Sequence, residues 1–80
     1  RKVEETGIVH DANPALVTVT PASEETINVE TKVQAGSLLI IRNEGTGVAT
    51  VGGASCAASK VTTLIWDGNA YVEIATSDIS

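Results

Sequence analysis

The stretch Ser37-Leu38-Leu39-Ile40-Ile41-Arg42-Asn43-Glu44-Gly45-Thr46-Gly47-Val48-Ala49-Thr50-Val51 decides the fold. Leu38, Leu39, Ile40 and Ile41 are consecutive apolar residues. In a strand, neighbouring side chains point to opposite faces, so this run is apolar on both. That pattern belongs to a central strand covered on both sides. The run is far too short for a membrane helix, which needs ~20 apolar residues. Asn43-Glu44-Gly45-Thr46-Gly47 then reads as a hairpin loop with glycines available for positive φ. Residues 48–51 read as its return strand.

The same short-strand signal extends outward in both directions. Residues 7–11 suggest a first strand, and Ala12-Asn13-Pro14 a turn, because Pro14 fixes its own φ and pushes Asn13 out of the helical region. Residues 15–20 alternate: Leu16, Thr18 and Thr20 share one face, Val17 and Val19 the other. Residues 26–31 alternate again, with Ile27 and Val29 together. Gln34-Ala35-Gly36 marks the next turn. Downstream, Gly52 to Ser59 is an uncharged run of small residues that reads as a loop. Residues 60–66 and 70–76 read as strands joined at Asp67-Gly68-Asn69, the strongest turn signal in the chain. No 3.6-residue apolar period and no internal sequence repeat is visible.

These signals predict an all-β chain of about six to seven short strands, a small antiparallel β-sandwich or jelly-roll-like barrel. Residues 1–6 are expected to be an extended arm or linker, 7–76 a single β-domain, and 77–80 a tail. The chain starts at Arg1 and holds no methionine, which suggests a processed chain or a part of a longer one.

Composition narrows the function classes. Eighty residues give a thin core, and domains this small usually add a disulfide, a metal or a partner subunit. Cys56 is the single cysteine and His10 the single histidine, so no internal disulfide and no His/Cys metal cluster is expected. That leaves oligomerisation as the extra source of stability, or else an unusually efficient small core. Ten carboxylates against five basic residues give a net charge of −5, which repels nucleic-acid phosphates. No cofactor, nucleic-acid partner, membrane insertion or signal peptide is read from the chain.

Catalytic motifs are weak. His10 and Asp11 are adjacent, but neighbouring strand residues face opposite ways and no nucleophile elbow accompanies them, so an exposed turn pair is expected. Glu4-Glu5 and Glu24-Glu25 fall in an arm and a turn rather than across a cleft. The glycine pairs lack a phosphate-binding fingerprint. Cys56 reads as a small buried thiol with no basic neighbour to activate it. Trp66 and Tyr71 flank the Asp67-Gly68 turn, so they approach across a hairpin. They form either a clasp closing a thin core or, with Asp67 and Asn69, a stacking platform for a sugar ring.

The order of these features resembles a module of tailed-bacteriophage virion proteins, in tail fibres, head fibres and capsid decorations. The resemblance spans residues 12–75. It is carried by Leu16-Val17-Thr18-Val19-Thr20-Pro21 after Asn13-Pro14, Gln34-Ala35-Gly36, the strand closing in Asn43-Glu44-Gly45-Thr46-Gly47, and Trp66-Asp67-Gly68 before Tyr71. The loop around Cys56 departs from the usual polar Gly/Asn-rich insert. The resemblance implies a non-catalytic structural protein on the particle surface, often a homotrimer, contacting other virion proteins. Leu38, Leu39, Ile40 and Ile41 would then supply core and subunit contact. A receptor- or carbohydrate-binding module is the second reading, with Trp66, Asp67, Asn69 and Tyr71 against a host-surface glycan.

Overall fold

A computed structural model describes residues 7–79; the expected N-terminal arm lies outside them. Regular structure among the described residues is all strand: β1 (Gly7–His10), β2 (Ala15–Val19), β3 (Glu25–Thr31), β4 (Leu38–Asn43), β5 (Ala49–Val51), β6 (Ala54–Cys56), β7 (Lys60–Trp66) and β8 (Tyr71–Asp78). They form two four-stranded sheets, β1-β3-β5-β6 and β2-β4-β7-β8. The sheets face each other in a slab only 17 Å thick between Cα extremes, the depth of two layers. The architecture is a two-layer, sandwich-like one and not a closed barrel.

Pairing differs from the expected antiparallel pattern. β1 and β3, β3 and β5, and β2 and β4 are parallel; only β4–β7, β5–β6 and β7–β8 are antiparallel. The reason is the path of the chain. Through its first five strands it crosses from one sheet to the other at every turn, so each strand returns beside the strand two earlier. Gly7 lies beside Asn28, 21 residues on, while Ala15 lies beside Leu39 and Glu25 beside Ala49, each 24 residues on. The chain is a flattened coil whose turns stack, although its sequence shows no repeat.

Stacked corners hold the coil. Residues 44–47 do not form the expected hairpin, because β4 and β5 lie in different sheets. They form a corner lying directly on the preceding corner around Pro21. Glu44 N–H donates to Val19 O, and Thr46 and Gly47 N–H both donate to Pro21 O, at 2.9–3.0 Å. A Cβ on Gly45 or Gly47 would run into the backbone of Pro21 or Ser23. These glycines therefore serve close approach, not positive φ. At the opposite end, Asn13 Oδ1 accepts from Leu38 N–H at 3.0 Å, tying the corner at the cis Asn13-Pro14 bond to the next turn.

The run of small residues from Gly52 also holds structure. Gly52 and Gly53, at φ +57° and +91°, make a two-residue hairpin turn, and Ala54 to Cys56 return as β6. β8 runs to Asp78, two residues into the stretch expected as a tail, and Lys60 pairs with Asp78 at its end.

Period-2 alternation fixes what each layer contributes. Ile27, Leu39, Ile41, Ala49, Val51, Cys56 and Leu64 point between the sheets and form the core, packed by Ile8, Val17, Val19 and Val29. Truncating a fully buried Leu39, Ile41 or Leu64 to alanine is worth about 2–5 kcal/mol. Asn43 is fully buried yet satisfied. Its Nδ2 donates to Gly47 O and Cys56 O, and its Oδ1 accepts from Gly45 N–H, all within 3.0 Å. It welds β4 to its own corner and to β6.

Candidate functional site

The aromatic hairpin comes first. Trp66 and Tyr71 are cross-strand partners on β7 and β8, with ring centroids 4.9 Å apart and tilted by 46°. Tyr71 points inward and is buried, while Trp66 is half-buried at the rim of the core. The Tyr71 hydroxyl lies 2.8 Å from both His10 Nδ1 and Thr31 Oγ1, and His10 Nε2 lies 3.1 Å from Leu38 O. The Leu38 carbonyl can only accept, so Nε2 carries the proton. In that tautomer Nδ1 accepts the Tyr71 O–H, which leaves the Thr31 hydroxyl to donate to Tyr71. One chain of hydrogen bonds thus joins β1, β3, β4 and β8. His10 is fully buried and Asp11 exposed, which overturns the expectation of an exposed His-Asp pair.

Asp67 is committed to its own turn. Its Oδ1 accepts from Asn69 and Ala70 N–H, each at 2.7 Å. The Ala70 bond, then the Asn69 bond, hold its carboxyl below the ordinary value of 3.8. Asn69 is exposed at the tip. Of the four candidate sugar-contacting residues, the structure places Trp66 and Tyr71 together, turns the Tyr71 hydroxyl inward, and occupies an Asp67 oxygen.

Shallow depressions of about 410 and 300 Å³ lie along β1 and β3 and at the mouth between β1 and β2; a third, of about 360 Å³, is bounded by Arg42, Glu44, Ser59 and Ile79. Cys56 is buried, and burial pushes its thiol above the ordinary value of 9.0. Among the described residues no three His, Cys, Asp or Glu side chains gather, and no helix is long and apolar enough to cross a membrane.

The outward faces of the two sheets are the stronger signal, and they differ. On the β1-β3-β5-β6 sheet the outward positions include Thr26, Asn28, Glu30, Thr50 and Ser55, with Val9 the apolar exception. On the β2-β4-β7-β8 sheet they form three cross-strand rows: Leu38-Ile65-Val72, Leu16-Ile40-Thr63-Ala75, and Thr18-Arg42-Val61-Ser77. Ile74 is the extra residue at a bulge opposite Thr63 and Leu64. β4 is central, as its sequence implies, with Leu39 and Ile41 fully buried. Leu38 and Ile40, on its other face, are half-buried by neighbouring side chains alone. Leu16, Val72 and Ile74 are 65%, 45% and 53% exposed. Period-2 reading of Leu16, Val72 and Ile74 against their strand neighbours assigns each to a face, but only the strand order shows that they share one.

Comparison with protein-family models, curated proteins and solved structures finds no match to this chain.

Proposed function

We propose that this chain is a non-catalytic structural module that acts by self-association, as a homotrimer, in the surface of a virus particle such as a bacteriophage fibre, spike or capsid decoration. The observation that carries the assembly part is the contrast between the two outward sheet faces. An antiparallel or mixed sheet with one face on the core normally turns polar residues to water on the other. The β1-β3-β5-β6 sheet does so; the β2-β4-β7-β8 sheet turns Leu16, Leu38, Ile40, Ile65 and Val72 outward instead. Contiguous exposed apolar surface of this kind marks a contact with another protein. The particle and the trimer rest on the sequence resemblance. Sedimentation velocity over a micromolar concentration series is the test. A mass three times the 8.2 kDa protomer is expected. A monomer throughout refutes self-association.

The glycan-binding reading keeps one favourable observation, the half-buried indole of Trp66 beside the exposed Asn69. Trp66→Ala separates the two. In the structural reading it lowers stability by about 2–3 kcal/mol, below the 3–5 of a fully buried ring, and glycan arrays show nothing to lose. Loss of glycan or cell-surface binding with the melting transition intact favours the second reading.

A further inference from the structure

We infer that the Asp67-Gly68 bond is a modification site of this chain, at which aspartate rearranges to isoaspartate, and that the folded turn holds this reaction back until it opens. The site is independent of how copies assemble.

The reaction needs only the chain and water. The Gly68 main-chain nitrogen attacks Cγ of the Asp67 carboxylic acid. An N–C bond forms, the nitrogen gives up its proton, and one carboxyl oxygen leaves as water. The resulting succinimide ring then takes up one water. Opening at Cγ restores aspartate. Opening at the main-chain carbonyl gives isoaspartate, whose chain runs on through the side-chain carbons. Mass is unchanged overall, and nothing is oxidised or reduced.

The residue that follows selects the site, because a side chain on it crowds the attacking nitrogen. Asp11, Asp67 and Asp78 precede Ala12, Gly68 and Ile79, so Asp67 alone is followed by a residue without a Cβ. Asparagine cyclises in the same way with loss of ammonia, but Asn13, Asn28, Asn43 and Asn69 precede Pro14, Val29, Glu44 and Ala70. Exposure agrees with the choice. Residues 67–70 are all exposed, so water reaches both the acid and the ring formed from it.

The turn supplies the restraint. Asp67 Oδ1 accepts from Asn69 and Ala70 N–H, each at 2.7 Å, which fixes the carboxyl group to the N–H groups beyond Gly68. Both bonds favour the ionised carboxylate, whereas attack needs the neutral acid. The main chain is fixed as well. Asp67 N–H donates to Ala70 O, Gly36 N–H donates to Trp66 O, and Gly68 sits between them at φ +98°. Closing the ring requires this arrangement to give way.

The same arrangement gives the product its effect. The turn sets Trp66 opposite Tyr71. Isoaspartate adds a carbon to the main chain inside that turn, so the two strands lose the fit that places the Tyr71 hydroxyl 2.8 Å from His10 and Thr31. The modified chain is therefore less stable.

Ageing the intact chain at neutral pH and body temperature, folded and in guanidinium chloride, tests the inference. The tryptic peptide that follows Lys60 carries both Asp67 and Asp78, and electron-transfer fragmentation locates isoaspartate within it. Isoaspartate is expected at Asp67 in the denatured chain, forming about tenfold more slowly in the folded one, the scale of exposed hydrogen bonds to a charged group. Its absence from Asp67 in the denatured chain, or faster formation at Asp11 or Asp78, overturns the site. Equal rates in the folded and denatured chain overturn the restraint. The isoaspartate form, separated chromatographically and returned to native buffer, should melt at lower temperature or show no transition. A midpoint equal to that of the unmodified chain overturns the effect on stability.

Discussion

Removing a single oxygen, by Tyr71→Phe, probes the buried hydrogen-bond chain. The ring stays, and with it the packing on Trp66 and over Gly52. The hydroxyl's bonds to His10 and Thr31, both at 2.8 Å, are lost. Thr31 is half-buried, so its hydroxyl can turn to water, but His10 is fully buried and its Nδ1 is left without a donor. An orphaned buried acceptor costs about 1–3 kcal/mol, against roughly 1 for an ordinary exchanged hydrogen bond. The expected loss is therefore about 2 kcal/mol, a fall in Tm of about 8–16 °C for a domain of this size. Chemical denaturation at one fixed protomer concentration measures it, since association adds to apparent stability. A double-mutant cycle with His10→Leu isolates the pair. With no imidazole to orphan, Tyr71→Phe should cost less than half as much in that background. An unchanged midpoint in the single variant, or the same loss with and without His10, refutes the reasoning.

Gly47→Ala should destabilise by about 1–3 kcal/mol or more, because its methyl meets the Ser23 backbone rather than a yielding side chain; an unchanged thermal midpoint would mean the corners do not stack. Asp67, held below its ordinary 3.8, contributes stability that is full above that value and lost as pH falls through its lower folded value. Asp67→Asn keeps an acceptor oxygen but no titration, so its unfolding midpoint should fall less steeply with acid below pH 3.8 than the wild type's; parallel acid curves contradict this. Cys56, buried and shifted upward, should react with iodoacetamide at neutral pH many-fold slower in the folded chain than in denaturant; equal rates would show the β5–β6 hairpin to be open.

What could be read from the residues was each strand's own alternation. Val17 and Val19 face inward and Leu16 outward because a pleated strand has only two sides. The run from Leu38 to Ile41 reads as a central strand, which β4 is, but the second sheet covers only its Leu39 and Ile41 face and not, as expected, both. Pairing was not legible. Parallel strands need a crossover of a dozen or more residues, usually helical. Here the crossover between β1 and β3 contains β2, so short strands in sequence pass for a meander. Asn43-Glu44-Gly45-Thr46-Gly47 has the composition of a hairpin loop, but Gly45 and Gly47 are there because two corners touch, a contact between segments over twenty residues apart. The true two-residue hairpin, Gly52-Gly53, was masked by its small, weakly apolar return strand. At the candidate site, the Trp66–Tyr71 meeting was legible from the turn between them. The inward role of His10 was not, although its period-2 phase with Ile8 signals it. The shared outward face of Leu16, Ile40 and Val72 depends on strand order, which no local pattern encodes.

In the proposed assembly, copies meet through the outward face of the β2-β4-β7-β8 sheet. Intermolecular nuclear Overhauser effects, filtered in a sample mixed from isotope-labelled and unlabelled chains, test it most directly. They are expected between methyl groups of Leu16, Leu38, Ile40, Ile65 and Val72 of different copies. Intermolecular signals confined to Val9 and its neighbours on the other sheet, or an oligomer with none from these five residues, would contradict it.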